Sequence, residues 1–282
     1  MFCALFGLSK QAYYKGLSHK KTGEGKALRL KESVMSYRAR MPRLGTRKLH
    51  YLIGCDPTIS IGRDRLFTLL REEGLLVSRR RKYTVTTNSK HWMRKYPNLT
   101  KGIHLRRPEQ LWVADITYLD TVEDGNAYLH LVTDAYSKRI MGYELCANME
   151  AASTLKALKM AVGNRDYKDL PLMHHSDRGL QYCSRIYIDL LKKNGIAISM
   201  TENGDPYENA IAERVNGILK EEFGLSDKLE NLKSSSLIVS QSIEIYNNLR
   251  PHQTCRMLTP RQMHQQDKIS LVSYKRKSSN IF

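Results

Sequence analysis

Three acidic residues stand in settings that suit metal-dependent chemistry. Asp115 interrupts the apolar run 111–119, Asp177 ends the segment Met-His-His-Ser-Asp, and Glu213 lies within a helical pattern. Sixty-one residues separate the first two acids, and thirty-five separate the last two. Mg²⁺ prefers oxygen ligands, and a pair of such ions can clamp the attacking and leaving oxygens of a phosphoryl transfer. We therefore predict that these acids hold two Mg²⁺ ions, which Mn²⁺ can replace, for phosphoryl transfer on nucleic acid.

Two of the acids also have simple structural interpretations. In strand geometry Val113, Asp115 and Thr117 share one face, and a carboxylate buried there needs a partner. That partner is either a metal ion or an Arg or Lys side chain. Asp177 follows a short strand, where open α/β sheets place their ligands, but Ser-Asp-Arg-Gly is also a common turn sequence. Alone, Asp177 is a weak signal.

Glu213 has the clearest local setting. Residues 205–208, Asp-Pro-Tyr-Glu, have the pattern of a helix N-cap followed by a capping box, so we assign Glu208 a structural role. At about 100° per residue, the following segment has two faces. The apolar face carries Ile211, Val215, Ile218, Leu219 and Glu222. The opposite face carries Asn209, Glu213, Asn216 and Lys220. Glu213 is therefore expected to point away from the buried face, and a merely solvated Glu/Lys face is the alternative.

Other metal-binding patterns are weaker. His174 and His175 are adjacent on a predicted strand and point to opposite faces, so they do not share one ion easily. We expect one to pack and the other to support the acid site or contact DNA. The five cysteines are scattered without a C-x-x-C pair, which disfavours a zinc finger and indicates reduced thiols. With no membrane-length apolar run and no signal peptide pattern, the cytoplasm is the expected location.

The net charge of +18 is concentrated at one end of the chain. Residues 1–107 hold 25 Lys and Arg against 6 Asp and Glu, whereas residues 108–282 hold 21 against 22. A basic block joined to a near-neutral part is typical of nucleic-acid binders, with a solubility tail or an anionic membrane contact as the alternative. The predicted DNA-contacting residues of this block are Arg63, Arg65, Arg79, Arg80 and Arg81.

Periodicity predicts the elements that must position these residues. Helices are expected over about 4–15, 26–40, 45–53 and from Ser60 to a cap at Gly74, with a Gly/Lys-rich linker over 16–25. The later helices of this group resemble a helix-turn-helix module. Three strands follow at 111–121, 127–134 and 138–146, and then a helix at 151–163. The remaining elements alternate: a strand at 172–176, a helix at 184–194, a strand at 196–200, and helices at 206–222 and about 233–247. This order predicts a mixed α/β sheet with helices on its faces.

We divide the chain accordingly. The predicted parts are an N-terminal helical segment (1–22), a helix-turn-helix-like DNA-binding domain (23–78), a basic linker (79–107), a catalytic core with C-terminal helices (108–270) and a tail (271–282). In the linker, Tyr83, Trp92 and Tyr96 interleave with Arg and Lys. These rings either stack on bases or pack locally against the protein, and the sequence does not distinguish the two.

Four segments resemble the OrfB-type transposases of bacterial insertion sequences. They are Trp-Val-Ala-Asp-Ile-Thr-Tyr (112–118), His-Ser-Asp-Arg-Gly-Leu-Gln-Tyr (175–182), the stretch 204–222 and the stretch 246–260, which begins Tyr-Asn-Asn-Leu-Arg-Pro-His. Residues 45–50 through 72–77 resemble the upstream helix-turn-helix-like segment of that family. The resemblance implies an integrase core similar to that of retroviral integrases, with a ribonuclease-H-like fold of three antiparallel strands followed by parallel ones.

The resemblance assigns roles to individual residues. Asp115, Asp177 and Glu213 match the catalytic, metal-binding acids of the family. Further matching positions, expected to contact DNA, are Lys220, Asn209, Arg214, Arg250 and His252. Glu208 departs from the family, in which many members have Asp, and we expect little effect at a helix cap. The resemblance lacks the zinc-binding N-terminal domain of retroviral integrases.

The resemblance also implies partners and an activity. The expected activity is metal-dependent cleavage at the element's ends, followed by transfer of the 3′-hydroxyl to DNA. The expected partners are double-stranded DNA, a second copy of the chain or a larger homo-oligomer, and an upstream-frame fusion partner. That frame supplies a further helix-turn-helix and a coiled coil, so we expect this chain to lack some end-recognition elements. A hydrolysis-only nuclease of the same fold and a DNA-binding regulator with an inactive core are the alternatives.

Overall fold

The computed structural model describes residues 9–78, 93–202 and 209–266. The chain divides into two compact units, Met1–Val77 and Ser78–Phe282. The predictions for Arg79, Arg80 and Arg81 and for the cap at 205–208 lie outside the described residues. Within the described part, no helix is long and apolar enough to cross a membrane.

Three helices lie in the described residues of the first unit, 9–77. They are α1 (Lys10–Arg40), α2 (Thr46–Gly54) and α3 (Arg63–Glu72). The linker predicted over 16–25 is wrong, because α1 runs through it without a break. Each glycine there costs about 1 kcal/mol relative to alanine, but the segment holds no proline, and propagating an existing helix is easier than starting a second one.

The apolar periodicity of this unit marks its packed side chains. Leu30 and Val34 of α1, Leu49 of α2 and Leu66 and Leu70 of α3 are buried. The predicted cap at Gly74 is confirmed: its φ is +64°, and the amide of Leu75 bonds back to the carbonyl of Leu70. Glycine suits that left-handed conformation because it carries no Cβ.

The second unit is built on a five-stranded mixed sheet. The strands are β1 (Leu111–Asp120), β2 (Asn126–Asp134), β3 (Ile140–Cys146), β4 (Met173–Ser176) and β5 (Ala197–Met200). Their spatial order is β3-β2-β1-β4-β5. The first three are antiparallel, and β1-β4 and β4-β5 are parallel, as predicted. The β1-β2 turn is a confirmed hairpin, with Gly125 at φ +73°.

Helices cover both faces of this sheet. They are α4 (Ala151–Gly163), α5 (Leu180–Cys183), α6 (Arg185–Lys193), α7 (Ala210–Glu222), α8 (Leu232–Asn248) and α9 (Pro260–His264), with a short 3-10 turn at Gln253–Cys255. The main core lies between the sheet, α4 and α6 and includes Trp112, Leu158 and Tyr187. Gly142 lets α4 approach β3 closely, since a Cβ there would lie 2.1 Å from the carbonyl oxygen of Ala157.

Part of the predicted basic linker packs on the second unit. Met93 and Tyr96 lie against the main core, and the guanidinium of Arg94 lies 5.3 Å from the centroid of the Tyr96 ring. The amide of Leu99 donates to Oγ of Ser199 at 2.9 Å. For Tyr96, local packing is therefore the interpretation that the structure favours.

Candidate functional site

Asp115 lies on the part of β1 that extends beyond its pairing with β4. The pairing of β1 with β4 covers only residues 111–113, so the strand continues past the end of β4. The half-buried carboxylate accepts two hydrogen bonds. The amide of Ile116 donates to Oδ1 at 2.9 Å, and Nδ2 of Asn216 donates to Oδ2 at 2.8 Å. These donors hold the carboxylate in one orientation.

The surroundings of Asp115 disfavour its charge. Burial raises its pKa to about 7, and the negative charges of Asp177 and Glu213 act in the same direction against the two hydrogen bonds. Among the described residues no Arg or Lys forms a hydrogen bond or ion pair with Asp115, the kind of partner that the sequence left open. The charge of Asp115 does act on Lys220, whose pKa it raises, so the negative charge around Asp115 is compensated only in part.

Asp177 follows β4 on the loop beside Asp115. The parallel register of β1 and β4 places Val113 beside His175. Two residues further along both chains, the same register places Asp115 beside Asp177. Oδ1 of Asp177 accepts the amide of Gly179 at 2.9 Å. A Cβ at Gly179 would lie 3.0 Å from that same oxygen, so a side chain there would push against the carboxylate.

Glu213 stands exposed on α7, as its helical face predicted. Partial burial raises its pKa. The ligand oxygens of the three acids do not all lie within 4.8 Å of one another, a spacing that in the described part only Glu109, Asp166 and His264 reach. Asp177 and Glu213 therefore each interact electrostatically with Asp115, but the three acids do not form a tight cluster.

Asn216 is the residue at this site whose role the sequence analysis did not find. We placed it on the exposed face of α7 with Glu213, but it is buried and donates to Asp115. Its Oδ1 is buried too and has no hydrogen-bond partner among the described residues. The available signal was its position three residues after Glu213, on the same face of the helix.

Asn209 and Lys220 flank the acids at the two ends of α7. Asn209, predicted to contact DNA, is buried and its Nδ2 donates to the carbonyl of Ala114 at 3.0 Å. Nζ of Lys220 lies 5.9 Å from the centroid of the Tyr118 ring. Burial lowers the pKa of Lys220, and Asp120 and Asp115 oppose that shift.

The predicted DNA-contacting residues of the C-terminal segment are not at the surface. Nε and Nη2 of Arg250 donate to the two carboxylate oxygens of Glu222, each at 2.9 Å. The Arg250 side chain is only 3% exposed. His252 is buried, with Nδ1 hydrogen-bonded to Oγ1 of Thr254 at 2.8 Å. Arg250 serves as the cation that the buried Glu222 carboxylate requires, so a DNA contact by Arg250 or His252, which stays a prediction, needs these side chains to leave their partners.

The other predicted contacts remain accessible. Arg214 is exposed on α7, next to Glu213. Arg63 and Arg65 are exposed at the start of α3, where the side chain of Arg63 pairs with Asp64 at 2.8 Å.

His174 and His175 lie inside the sheet rather than at the site. Nε2 of His174 hydrogen-bonds the hydroxyl of Tyr187 at 2.9 Å, and Nδ1 of His175 hydrogen-bonds Oγ of Ser199 at 2.8 Å. Burial lowers the pKa of His174 to about 3, and the neighbouring His175 adds to that shift, so His174 is neutral. Both histidines are buried, which agrees with packing for one of them, and a supporting or DNA-contacting role for the other stays a prediction.

Glu109, Asp166 and His264 form a compact cluster, but cations already occupy it. The Glu109 carboxylate accepts from Nε of Arg165 at 3.1 Å and from the amide of Asp166 at 2.7 Å. Arg139 pairs with Asp166 at 2.7 Å. Burial lowers the pKa of His264, but hydrogen bonds to Asp134 and Glu109 outweigh it, so the net shift is upward. These paired charges form a structural network that connects α9 to the sheet through His264.

Comparison with known proteins adds the family. Residues 106–206 and 194–260 each match a model described as an integrase core domain. The chain is 34% identical over 263 residues to the insertion element IS600 uncharacterized 31 kDa protein of Shigella sonnei, covering 92% of this chain and 95% of that protein. It is 33% identical over 195 residues to transposase InsF for insertion sequence IS3A of Escherichia coli (strain K12), covering 68% and 67%.

These matches define the class: the chain belongs to the insertion-sequence transposases with an integrase core. Within that class it is of the OrfB type, the group that the four sequence segments resemble. The sequence-based recognition is confirmed.

Solved retroviral structures also align with part of the chain. The HTLV-2 integrase catalytic core domain in complex with magnesium aligns with a TM-score of 0.44 at 19% identity, covering 56% of this chain and 97% of that one. The integrase of a simian T-cell lymphotropic virus intasome aligns with a TM-score of 0.48 at 17% identity, covering 85% and 77%.

Proposed function

We propose that this chain cleaves DNA at the ends of an insertion sequence and transfers the freed 3′-hydroxyl to another phosphodiester, in a metal-dependent reaction. The observation that supports it best is that the negative charges of Asp177 and Glu213 both act on Asp115, which lies on the part of β1 that extends beyond β4. Asp115 in the middle of β1, Asp177 just after β4 and Glu213 on α7 form a costly arrangement of negative charge in the absence of a bound cation, because Lys220 alone interacts with Asp115 from a distance.

The residues at this site fit a divalent cation. The donors are carboxylate oxygens, as Mg²⁺ and Mn²⁺ prefer, and the pKa of Asp115 near 7 reflects a charge that a cation would stabilise. Oδ1 of Asn216 is buried and accepts no hydrogen bond from any described residue, so it adds an acceptor beside them. In this proposal Asp115, Asp177 and Glu213 hold two ions. When bound, such ions activate a water or hydroxyl nucleophile and stabilise the leaving oxygen.

The chain's own groups then contribute position and charge. Asn216 and the Ile116 amide fix the orientation of the Asp115 carboxylate, and the short turn at Gly179 fixes that of Asp177. Lys220 places a cation at the far end of α7, where it can attract a phosphate of the substrate strand.

DNA is the proposed partner of both units. In the first unit, α3 presents Arg63 and Arg65 to solvent at its N-terminal end, the arrangement with which a helix-turn-helix module enters a major groove. Joining two element ends requires two active sites, so a dimer or larger homo-oligomer on DNA is part of the proposal.

The test uses the full chain, Mn²⁺ and DNA carrying the ends of the element that encodes it. Asp115→Asn and Glu213→Gln are expected to abolish strand transfer and to leave DNA binding largely intact. Asp189→Asn, an exchange at an exposed aspartate of α6, serves as the matched control and should keep full activity. Near-normal strand transfer by either of the first two variants would refute the catalytic assignment.

A pre-cut DNA end separates the proposal from its two alternatives. A transposase joins an exposed 3′-hydroxyl to target DNA, a hydrolysis-only nuclease cleaves without joining, and a regulator with an inactive core binds without metal-dependent chemistry. Joined product that depends on metal and on Asp115 supports the proposal, and either other outcome rejects it.

A further inference from the structure

A buried hydroxyl beside the acids has no hydrogen-bond partner in the part of the chain that the structure describes. It belongs to Tyr182 of α5, a residue that is 2% exposed. The neighbouring Tyr187 is also buried, but its hydroxyl is hydrogen-bonded to Nε2 of His174 at 2.9 Å. The two tyrosine rings meet edge to face with centroids 5.5 Å apart. A buried hydroxyl without a partner destabilises a folded chain, so this one requires an explanation.

The Tyr182 ring and the Asp177 carboxylate lie against the same glycine. A Cβ at Gly179 would lie 3.0 Å from Oδ1 of Asp177 and 3.6 Å from Cδ2 of Tyr182, so both groups border the same small space. Burial raises the pKa of Tyr182 well above its ordinary value, and the charges of Asp177 and then Asp115 raise it further. The Tyr182 hydroxyl is therefore close enough to both carboxylates to be affected by their charge, and the influence of Asp177 is the larger.

Asp177 can accept the hydrogen bond that Tyr182 does not make. A carboxylate has two oxygens and about four acceptor positions, and the amide of Gly179 occupies one of them. In the metal-free chain, the charge of Asp177 acts unfavourably on Asp115. A bound cation would stabilise both charged carboxylates. A hydroxyl donor would then be held strongly, because a hydrogen bond to a charged acceptor is about twice as strong as one between neutral groups.

We propose that Tyr182 is a positioning residue of the acid site, whose hydroxyl donates to the Asp177 carboxylate when a divalent cation is bound there. In the metal-free chain the hydroxyl has no described partner, so the cost of burying it is offset only on cation binding. Tyr182 thereby favours the cation-bound state over the metal-free one. This inference rests on the proposed function, in which Asp177 is one of the acids that hold the ions.

The experiment follows thermal unfolding of the full chain by circular dichroism as Mn²⁺ is added, without DNA. A ligand that binds the folded chain raises its melting temperature to an extent set by its affinity. Tyr182→Phe removes the hydroxyl and keeps the ring, so the metal-free variant should melt about 2–4 °C above the wild type. It should also need roughly tenfold more Mn²⁺ for the same rise in melting temperature, because a hydrogen bond to a charged acceptor is lost.

Tyr187→Phe is the matched control. It removes a buried hydroxyl from the same aromatic cluster, but one that is hydrogen-bonded to His174. It should therefore lower the metal-free melting temperature and leave the response to Mn²⁺ unchanged. Asp177→Asn removes the charged acceptor and should lose most of the response to Mn²⁺.

Two results would overturn the role of Tyr182 alone, provided that the wild type responds to Mn²⁺ and Asp177→Asn does not. One is a Tyr182→Phe variant that responds to Mn²⁺ as the wild type does. The other is a metal-free melting temperature of Tyr182→Phe that is not above that of the wild type, which would show that the hydroxyl already has a partner. A wild-type chain that does not respond to Mn²⁺, or an Asp177→Asn variant that responds fully, would reject the proposed cation site and the role of Tyr182 with it.

Discussion

Removing the amide of Asn216 should change the pH dependence of the reaction. Nδ2 of Asn216 donates to the Asp115 carboxylate at 2.8 Å and stabilises its charged form, which burial and two neighbouring acids disfavour. A hydrogen bond to a charged group contributes about 1.5–3 kcal/mol, and one pKa unit corresponds to about 1.4 kcal/mol. Allowing for water that replaces part of the lost bond, Asn216→Leu should raise the pKa of Asp115 by about one unit.

The consequence for activity follows from the starting value. With a pKa of about 7, roughly half of Asp115 is charged at pH 7 in the metal-free chain. One unit higher leaves about a tenth charged, so metal binding at subsaturating Mg²⁺ should fall roughly fivefold. The acid limb of the strand-transfer rate should move up by about one pH unit, with activity recovering near pH 9.

The assay measures strand transfer from a pre-cut end between about pH 6 and pH 9 at limiting and saturating Mg²⁺. Asn247→Leu is the matched control, because Asn247 also makes buried amide bonds, but to the backbone of Ile140. It should lower stability and leave the pH profile in place. If Asn216→Leu loses only stability and its acid limb coincides with that of the wild type, Asn216 does not position Asp115.

Three further predictions concern stability. Arg250→Met leaves a buried carboxylate unpaired and should cost about 3–5 kcal/mol of unfolding free energy in urea, whereas Lys156→Met, in an exposed pair, should cost about 0–1 kcal/mol. Gly142→Ala drives a Cβ into the backbone of α4 and should cost 3 kcal/mol or more, whereas Gly163→Ala meets nothing within 4 Å and should be neutral or stabilising. The pKa of His264 is raised in the folded chain, so the charged imidazole stabilises the fold fully below about pH 6.5. This contribution to the free energy of unfolding is lost as the pH rises through the pKa of the folded chain. The difference in unfolding free energy between the wild type and His264→Gln should therefore shrink as the pH rises.

Each of these has an outcome that contradicts it. Equal losses for the Arg250 and Lys156 variants would mean that burial does not matter for the first pair. A wild-type melting temperature for Gly142→Ala, measured by circular dichroism, would mean that α4 can move away from β3. A His264→Gln difference that grows as pH rises would show that the imidazole is neutral in the folded chain.

Much of the sheet could be predicted from local patterns. The strands at 111–120 and 126–134 alternate or run apolar, and Asp-Gly-Asn marks the turn between them, so their bounds follow within a residue or two. Helix α4 coincides with its prediction for the same reason. The continuity of α1 through residues 16–25 was not predicted, because glycine and lysine are typical of linkers. Whether a helix continues through glycines depends on the helical segments on either side, which local composition does not show.

The site was predictable only in part. Acid spacing and the face of α7 identify Asp115 and Glu213 as candidates, but nothing local links Asn216 to a carboxylate 101 residues earlier. Arg250 shows a different limit. The family resemblance implied a DNA contact for Arg250, but the sequence also placed Glu222 on the apolar face of α7, and a buried acid needs a cation. Pairing over a sequence separation of 28 residues is a tertiary fact.

The unpaired border of β1 links the reacting groups to the solubility of the chain. A strand border with free amides and carbonyls can recruit a strand from another molecule. Here the carbonyl of Ala114 is taken by the Asn209 amide, and the amide of Ile116 is taken by the Asp115 carboxylate. Side chains gathered for catalysis thus also block edge-to-edge association, and a variant that loses them can precipitate for reasons unrelated to its lost chemistry.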